Sequence, residues 1–226
     1  MWEQRNAYIS KELILSLSPS ELVYCVTYAP YGGRSYYRGY YQQVSDTGLS
    51  ETTLRRVKKS LMEKGLLRRM TDDGWQLKLP RGSIFTMIPA AGILALRDEP
   101  TALKIYAYLL LCSGRLRCAY PSFRKMAQDT GLSLNALCTH IPLLEARGLI
   151  DKHRRFYKKT KAMRSNCYFI CTDEEAIRRR LEALRKAKTG KRVRKRKAAG
   201  AIRHPLSLSG PATDAGHSRA IFRPPK

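Results

Sequence analysis

The sequence predicts a mainly α-helical chain with small β-hairpins, built from one structural unit used twice. Three observations predict it. First, residues 46–67, DTGLSETTLRRVKKSLMEKGLL, align without a gap on residues 129–150, DTGLSLNALCTHIPLLEARGLI, at an offset of 83, with nine of 22 positions identical. Second, each copy carries helix-ending and helix-starting residues at the same places. Third, each copy is followed by a stretch with the pattern of a hairpin.

The shared residues each have a mechanical task. Gly48 and Gly131 end one short helix where positive φ is cheap only for glycine, and Ser50 and Ser133 offer an oxygen that caps the next. In that second helix Leu54, Val57 and Leu61 fall on one face, and Gly65 stops it before Leu66-Leu67. Arg55, Arg56 and Lys59 point the other way. One stripe is thereby anchored in its own domain and the other is left for the DNA major groove. After the first copy, Arg68 to Leu79 places Asp73-Gly74 as a turn between two strand-like runs. After the second, Asp151 to Cys171 forms a longer hairpin with a basic middle, closing on NCYFIC. Helix, turn, helix and hairpin make a winged helix. The expected architecture is two tandem winged-helix (helix-turn-helix) domains, residues 1–80 and 81–171, then a C-terminal helix at 172–190 and a disordered basic tail at 191–226.

In the first domain, Ile9 to Leu17 is a lead-in, and Ser18-Pro19-Ser20-Glu21 opens a helix through a capping box with proline at its first position. That helix should end by Pro30. Tyr36, Tyr37, Tyr40 and Tyr41, interleaved with Arg34 and Arg38, form either a loop that stacks on nucleic acid or aromatic packing on a small core. In the second domain, Ile84 onward reads as an entering strand, Ala90 to Leu96 as a short helix, and Pro100 as the first residue of a long apolar helix equivalent to the one at Glu21. Ser122 caps the helix before the repeat.

The formal charge is +25. Residues 174–226 hold 16 Lys/Arg against 4 Asp/Glu, leaving 27 against 14 in residues 1–173, so the folding part is itself basic. Such a field favours a polyanion, nucleic acid before an anionic membrane. The N-terminus lacks a signal pattern, and the longest apolar run, Ile84 to Leu96, is broken by Pro89 and too short for a bilayer, which predicts a cytoplasmic protein, nucleoid or plasmid associated.

Catalytic patterns are missing from the sequence: His140, His153, His204 and His217 form no His-x-His pair, and neither a P-loop nor a Ser-His-acid set is present. We expect no enzyme and no cofactor. The six cysteines make no disulfide framework; Cys167 and Cys171, with Cys112 and Cys118, are the imaginable zinc ligands but lack a CxxC pair.

The run from Ile84 to Ile170, with IP, KIYAYLL, SGR, AYPSFRKMAQDTGLS, LLEARGLID and CYFI, resembles the winged-helix domains of plasmid and mobile-element replication initiators. The resemblance extends over residues 10 to 171 and implies tandem winged helices, sequence-specific binding of double-stranded DNA, and the replication machinery as partner. One departure is informative. Such domains place threonine and an aliphatic residue at the fourth and fifth positions of the recognition helix, counted from its serine cap; the first copy keeps Thr53-Leu54 and the second has Ala136-Leu137. The second copy also has His140 in place of Val57, and Pro142, which is expected to kink or shorten its helix.

The domains are therefore expected to divide the task. The first presents Thr52, Thr53, Arg55, Arg56 and Lys59, suited to guanine edges and phosphates. The second presents the uncharged Asn135, Cys138 and Thr139 and shifts its charge to the hairpin, where Lys152, Arg154, Arg155, Lys158, Lys159, Lys161 and Arg164 surround Phe156 and Tyr157 in a composition fit for phosphates or the minor groove. After it, Thr172 and Glu175 read as a capping box, and Ile177, Leu181 and Leu184 as a stripe that either packs on the second domain or makes a homodimer. The alternatives to an initiator are a transcriptional regulator with the same chemistry, and an RNA or protein adaptor that binds through the tail.

Overall fold

The computed structural model describes residues 5–31, 35–36, 38–70, 74–80, 82–156, 163–183 and 186. The chain opens with strand β1 (Ala7–Ser10), helices α1 (Lys11–Ser16) and α2 (Pro19–Tyr28), a 3-10 turn and the short strand β2 (Ser35–Tyr36). Helices α3 (Tyr40–Thr47) and α4 (Glu51–Glu63) follow, then strands β3 (Leu67–Arg69) and β4 (Trp75–Leu77). The order then recurs: β5 (Phe85–Ile88), α5 (Ala90–Leu96), α6 (Pro100–Ser113), β6 (Cys118–Ala119), α7 (Phe123–Thr130), α8 (Leu134–Ala146), β7 (Ile150–Phe156) and β8 (Met163–Ile170). Residues 174–183 form a last helix, α9.

The repeat holds to the residue. Helices α3 and α4 map onto α7 and α8 at the offset of 83, and the two small sheets have the same antiparallel order, β2-β4-β3 and β6-β8-β7. The DTGLS block explains itself in three dimensions. Asp46 and Asp129 accept hydroxyls from Tyr28 and Tyr108, while Thr47 and Thr130 bond back to the carbonyls of Gln43 and Met126. Gly48 and Gly131 both stand at φ 68°, and Ser50 and Ser133 cap α4 and α8. Gly65 and Gly148, at φ 69°, end those helices in the same left-handed conformation.

The two copies are not independent bodies. Strand β1 pairs antiparallel with β5, Ala7 opposite Ile88 and Ser10 opposite Phe85, so equivalent strands of the two copies face each other. Helix α2 packs on α6, its own equivalent, and residues 1–186 form one compact unit. Both contacts join like elements of the two copies, the strands antiparallel. The boundary expected at residue 80 thus separates the copies of the repeat but not two separate cores. Tyr24, Leu22, Tyr106 and Leu103, all fully buried, lie in one continuous core.

Two local expectations are corrected. Pro142 does not shorten α8, which has 13 residues like α4. The proline faces solvent, where water can take the carbonyl that its missing N–H leaves free. The cap of α9 is Asp173 rather than Thr172: its carboxylate accepts from the amides of Glu175 and Ala176 at 3.0 and 3.3 Å. Ile177 is fully buried and Leu181 packs on the same core, so these two residues of the stripe face their own chain; Leu184 lies outside the described residues. The basic tail expected at 191–226 lies outside the described residues.

Candidate nucleic-acid interface

Helix α4 puts its cations where the sequence placed them. Leu54, Val57 and Leu61 are buried, whereas Thr52, Arg55, Arg56 and Lys59 are exposed. Thr53 is half-buried, its hydroxyl 2.8 Å from that of Ser50, so it belongs to the cap as much as to the surface. Arg55 is held in place: its Nε donates to the Tyr40 hydroxyl at 3.1 Å, its guanidinium lies 5.4 Å from the ring centre, and that hydroxyl donates in turn to the Glu51 carbonyl. The tyrosine-rich stretch therefore splits. Tyr40 positions an arginine, and Tyr41 is 79% exposed beside it.

Lys58 was not singled out by sequence reasoning, because it sits among basic neighbours in the run RRVKK. It is buried with its ammonium 3.4 Å from the centre of the Trp75 ring, and it donates to Gln43 Oε1. Burial, assisted by Arg69, pushes its pKa down to about 8. One side chain thus ties α3, α4 and the first hairpin together. Its equivalent in the second copy is the fully buried Ile141.

Helix α8 repeats the scaffold with a different exterior. Leu137, Ile141 and Leu144 are buried; Asn135, Cys138 and Thr139 are exposed. The Thr139 hydroxyl donates to the Asn135 carbonyl, and His140 lies with Nδ1 3.8 Å from Glu99. No cation stands on this face.

The charge reappears on the second hairpin, in which β7 and β8 are longer than their counterparts. Lys152 lies over Phe123, 5.5 Å from the ring centre, and Arg155 lies 4.6 Å over Tyr120. Arg154 is exposed between them. The pairing shifts register between His153 and Arg155, a bulge of the kind that re-aims side chains at the rim of a sheet. Arg164 stands opposite Arg155 in the ladder; Lys158, Lys159 and Lys161 lie outside the described residues.

A second group of charges is buried behind α4. Glu21 is 3% exposed and takes hydrogen bonds from Lys64 at 2.6 and 2.8 Å and from Ser60 at 2.6 Å. Burial alone would raise this carboxyl, but the bonds from Lys64, Ser60 and Ser18 outweigh it and hold it at about 2. The residue equivalent to Glu21 is Lys104, also 3% exposed, which donates to the carbonyls of Leu17 and Leu15 and is pushed down by its burial. Both line a cleft of about 720 Å³, closed on one side by Thr53, Arg56 and Ser60 of α4 and on the other by the Thr130-Gly131-Leu132 turn. Sequence reasoning missed this cleft, since its walls come from both copies.

Residues 99–150, which span α6, α7 and α8, match the family model described as a helix-turn-helix domain. The helix-turn-helix match supports a DNA-binding protein, and it falls on the second copy. The first copy is joined to it by the offset of 83, not by a match of its own. No curated protein and no solved structure matches the chain. Among the described residues, no helix is long and apolar enough to cross a membrane.

Proposed function

We propose that the protein binds double-stranded DNA sequence-specifically through two winged helices and initiates replication of a plasmid or mobile element. The observation that carries the reading is the repeated helix pair, α3–α4 and α7–α8, in two copies joined through the antiparallel β1–β5 pair. Helices α4 and α8 have the same length and serine cap and share the buried pairs Leu54/Leu137 and Leu61/Leu144, and the antiparallel pairing of β1 with β5 joins their two copies. Copies joined through an antiparallel strand pair suit half-sites in inverted order, roughly 34 Å apart or a multiple of it. Arg55, Arg56 and Lys59 read one half through the major groove, while the second unit holds its half with Lys152, Arg154 and Arg155 on phosphates. The half-sites then differ in how strongly their bases are specified.

The cleft between α4 and the second unit's turn favours a transcriptional regulator as the second reading, because a ligand lodged there would bear on both units. Selection of binding sites from random duplex DNA tests the proposal, using the full chain with a polyanion competitor to suppress sequence-blind binding. The expected motif is an imperfect inverted repeat with one half well defined. Clusters of that motif beside the gene would mark an initiator, and a single copy over a promoter a regulator. If no motif emerges, the adaptor reading replaces both.

A further inference from the structure

Strand β6 lies against β8, with Cys118 opposite Phe169 and Ala119 opposite Tyr168. Cys118 and Cys167 are therefore diagonal neighbours across this pairing, and their sulfurs are 2.7 Å apart. Both side chains are buried, at 8% and 5% exposure. Two sulfurs this close are inside ordinary non-bonded contact. They are also too close to share a tetrahedral zinc, which holds its sulfurs about 3.8 Å apart at Zn–S bonds near 2.3 Å. Among the described residues no group of three or more His, Cys, Asp and Glu side chains is placed to hold a metal. Cys112 and Cys171, the other imagined ligands, are not part of the pair.

We infer that Cys118 and Cys167 form a reversible disulfide that fastens β6 to β8 at the root of the basic hairpin. The oxidant class is a hydroperoxide. One thiolate attacks the peroxide oxygen and becomes a sulfenic acid, releasing the alcohol or water; the second thiol then displaces the sulfenic oxygen as water. Two thiols and one hydroperoxide yield one disulfide, one alcohol and one water. Burial, reinforced by Cys118, pushes the Cys167 thiol up to about 11, so the reaction is slow at neutral pH and quickens as pH rises. The bond changes the surroundings of the hairpin's cations. Tyr120 interacts with both sulfurs and carries Arg155 over its ring, and Cys167 stands opposite His153 beside the bulge.

The test is made on the full chain and does not depend on DNA binding. The protein is treated with hydrogen peroxide, then unfolded in an excess of alkylating agent, digested without reductant and weighed. A peptide linking Cys118 to Cys167, two hydrogens lighter than the sum of its parts and lost on reduction, is the expected product. Its rate of formation should rise about tenfold from pH 7 to pH 8. The oxidised chain should melt roughly 5–15 °C above the reduced one, and Cys118→Ala or Cys167→Ala should abolish that difference. Alkylation of both residues after oxidation overturns the inference, as does pairing of either with the exposed Cys112 or Cys138. The mass readout needs only the natural chain, so a variant that folds poorly leaves it intact.

Discussion

The two copies of the repeat share a frame and differ in what they mount on it. In the first, the outward cations sit on α4, and the hairpin strands are three residues long. In the second, the outward face of α8 is uncharged and the hairpin strands reach seven and eight residues, with cations held over Tyr120 and Phe123. The caps, the glycines and the buried leucines Leu54/Leu137 and Leu61/Leu144 are the same in both copies, because these decide whether the unit folds at all. One scaffold thus carries its exposed cations on a helix in one copy and on a hairpin in the other.

The interior differs as well. Lys64 and Arg147 are equivalent, and each pairs with a carboxylate near the start of its unit's long helix. Glu21, the partner of Lys64, is buried, whereas Asp98, a partner of Arg147, is 64% exposed in its side chain. The largest expected effect follows from this. Lys64→Met leaves Glu21 buried without its cation and should cost about 3–5 kcal/mol in urea unfolding. Arg147→Met should cost well under that, since water replaces the lost partner of Asp98. Equal losses from the two would remove the distinction between the interiors.

Acid titration sharpens the same contrast. The Glu21 carboxyl lies at about 2 in the folded chain against an ordinary 4.5, so its stabilisation is complete above pH 4.5 and disappears as pH falls toward 2. At full strength that difference is worth about 3 kcal/mol. Glu21→Gln should flatten the acid limb of the stability profile in this window while leaving the slope above pH 5 unchanged. A limb that keeps its full slope in the variant would assign acid sensitivity to another group.

On DNA, Arg56→Ala should cost ~1–3 kcal/mol and relax specificity at one base position, measured by anisotropy over a set of singly substituted duplexes. Thr139→Ala, on the equivalent face of α8, should change affinity by less, because its hydroxyl is already engaged with the Asn135 carbonyl. A uniform loss across all duplexes from Arg56→Ala would falsify base reading by that residue. The smallest effects belong to the hairpin. Lys152→Ala or Arg154→Ala should weaken all sequences alike and reduce the salt slope by about one each. A change in base preference from either would move the second hairpin from gripping to reading.

Much of this molecule was legible before folding. The repeat, the capping serines, the glycines at positive φ and the face carrying Arg55, Arg56 and Lys59 are short-range consequences of backbone sterics and helical period, so a window of a few residues contains them. Even the entering strand near Ile84 and the long helix from Pro100 follow from local signals. Other features depend on which distant segments meet. Nothing in the run RRVKKS distinguishes Lys58 from its neighbours until Trp75 returns on β4 to cover it. The same holds for Glu21 under Lys64, 43 residues away, and for Cys118 against Cys167, 49 residues away.

That one pattern of caps, glycines and apolar spacing occurs twice, and that the chain is strongly basic, could be read from the residues alone, because caps, periodicity and net charge are local or additive properties. It took the folded chain to show that the copies are joined through an antiparallel β1–β5 pair, that aromatic rings carry the hairpin's cations, and that Pro142 is harmless on the solvent side of α8. Those outcomes depend on the face each element turns to its neighbours, and burial sets that face for the whole chain at once.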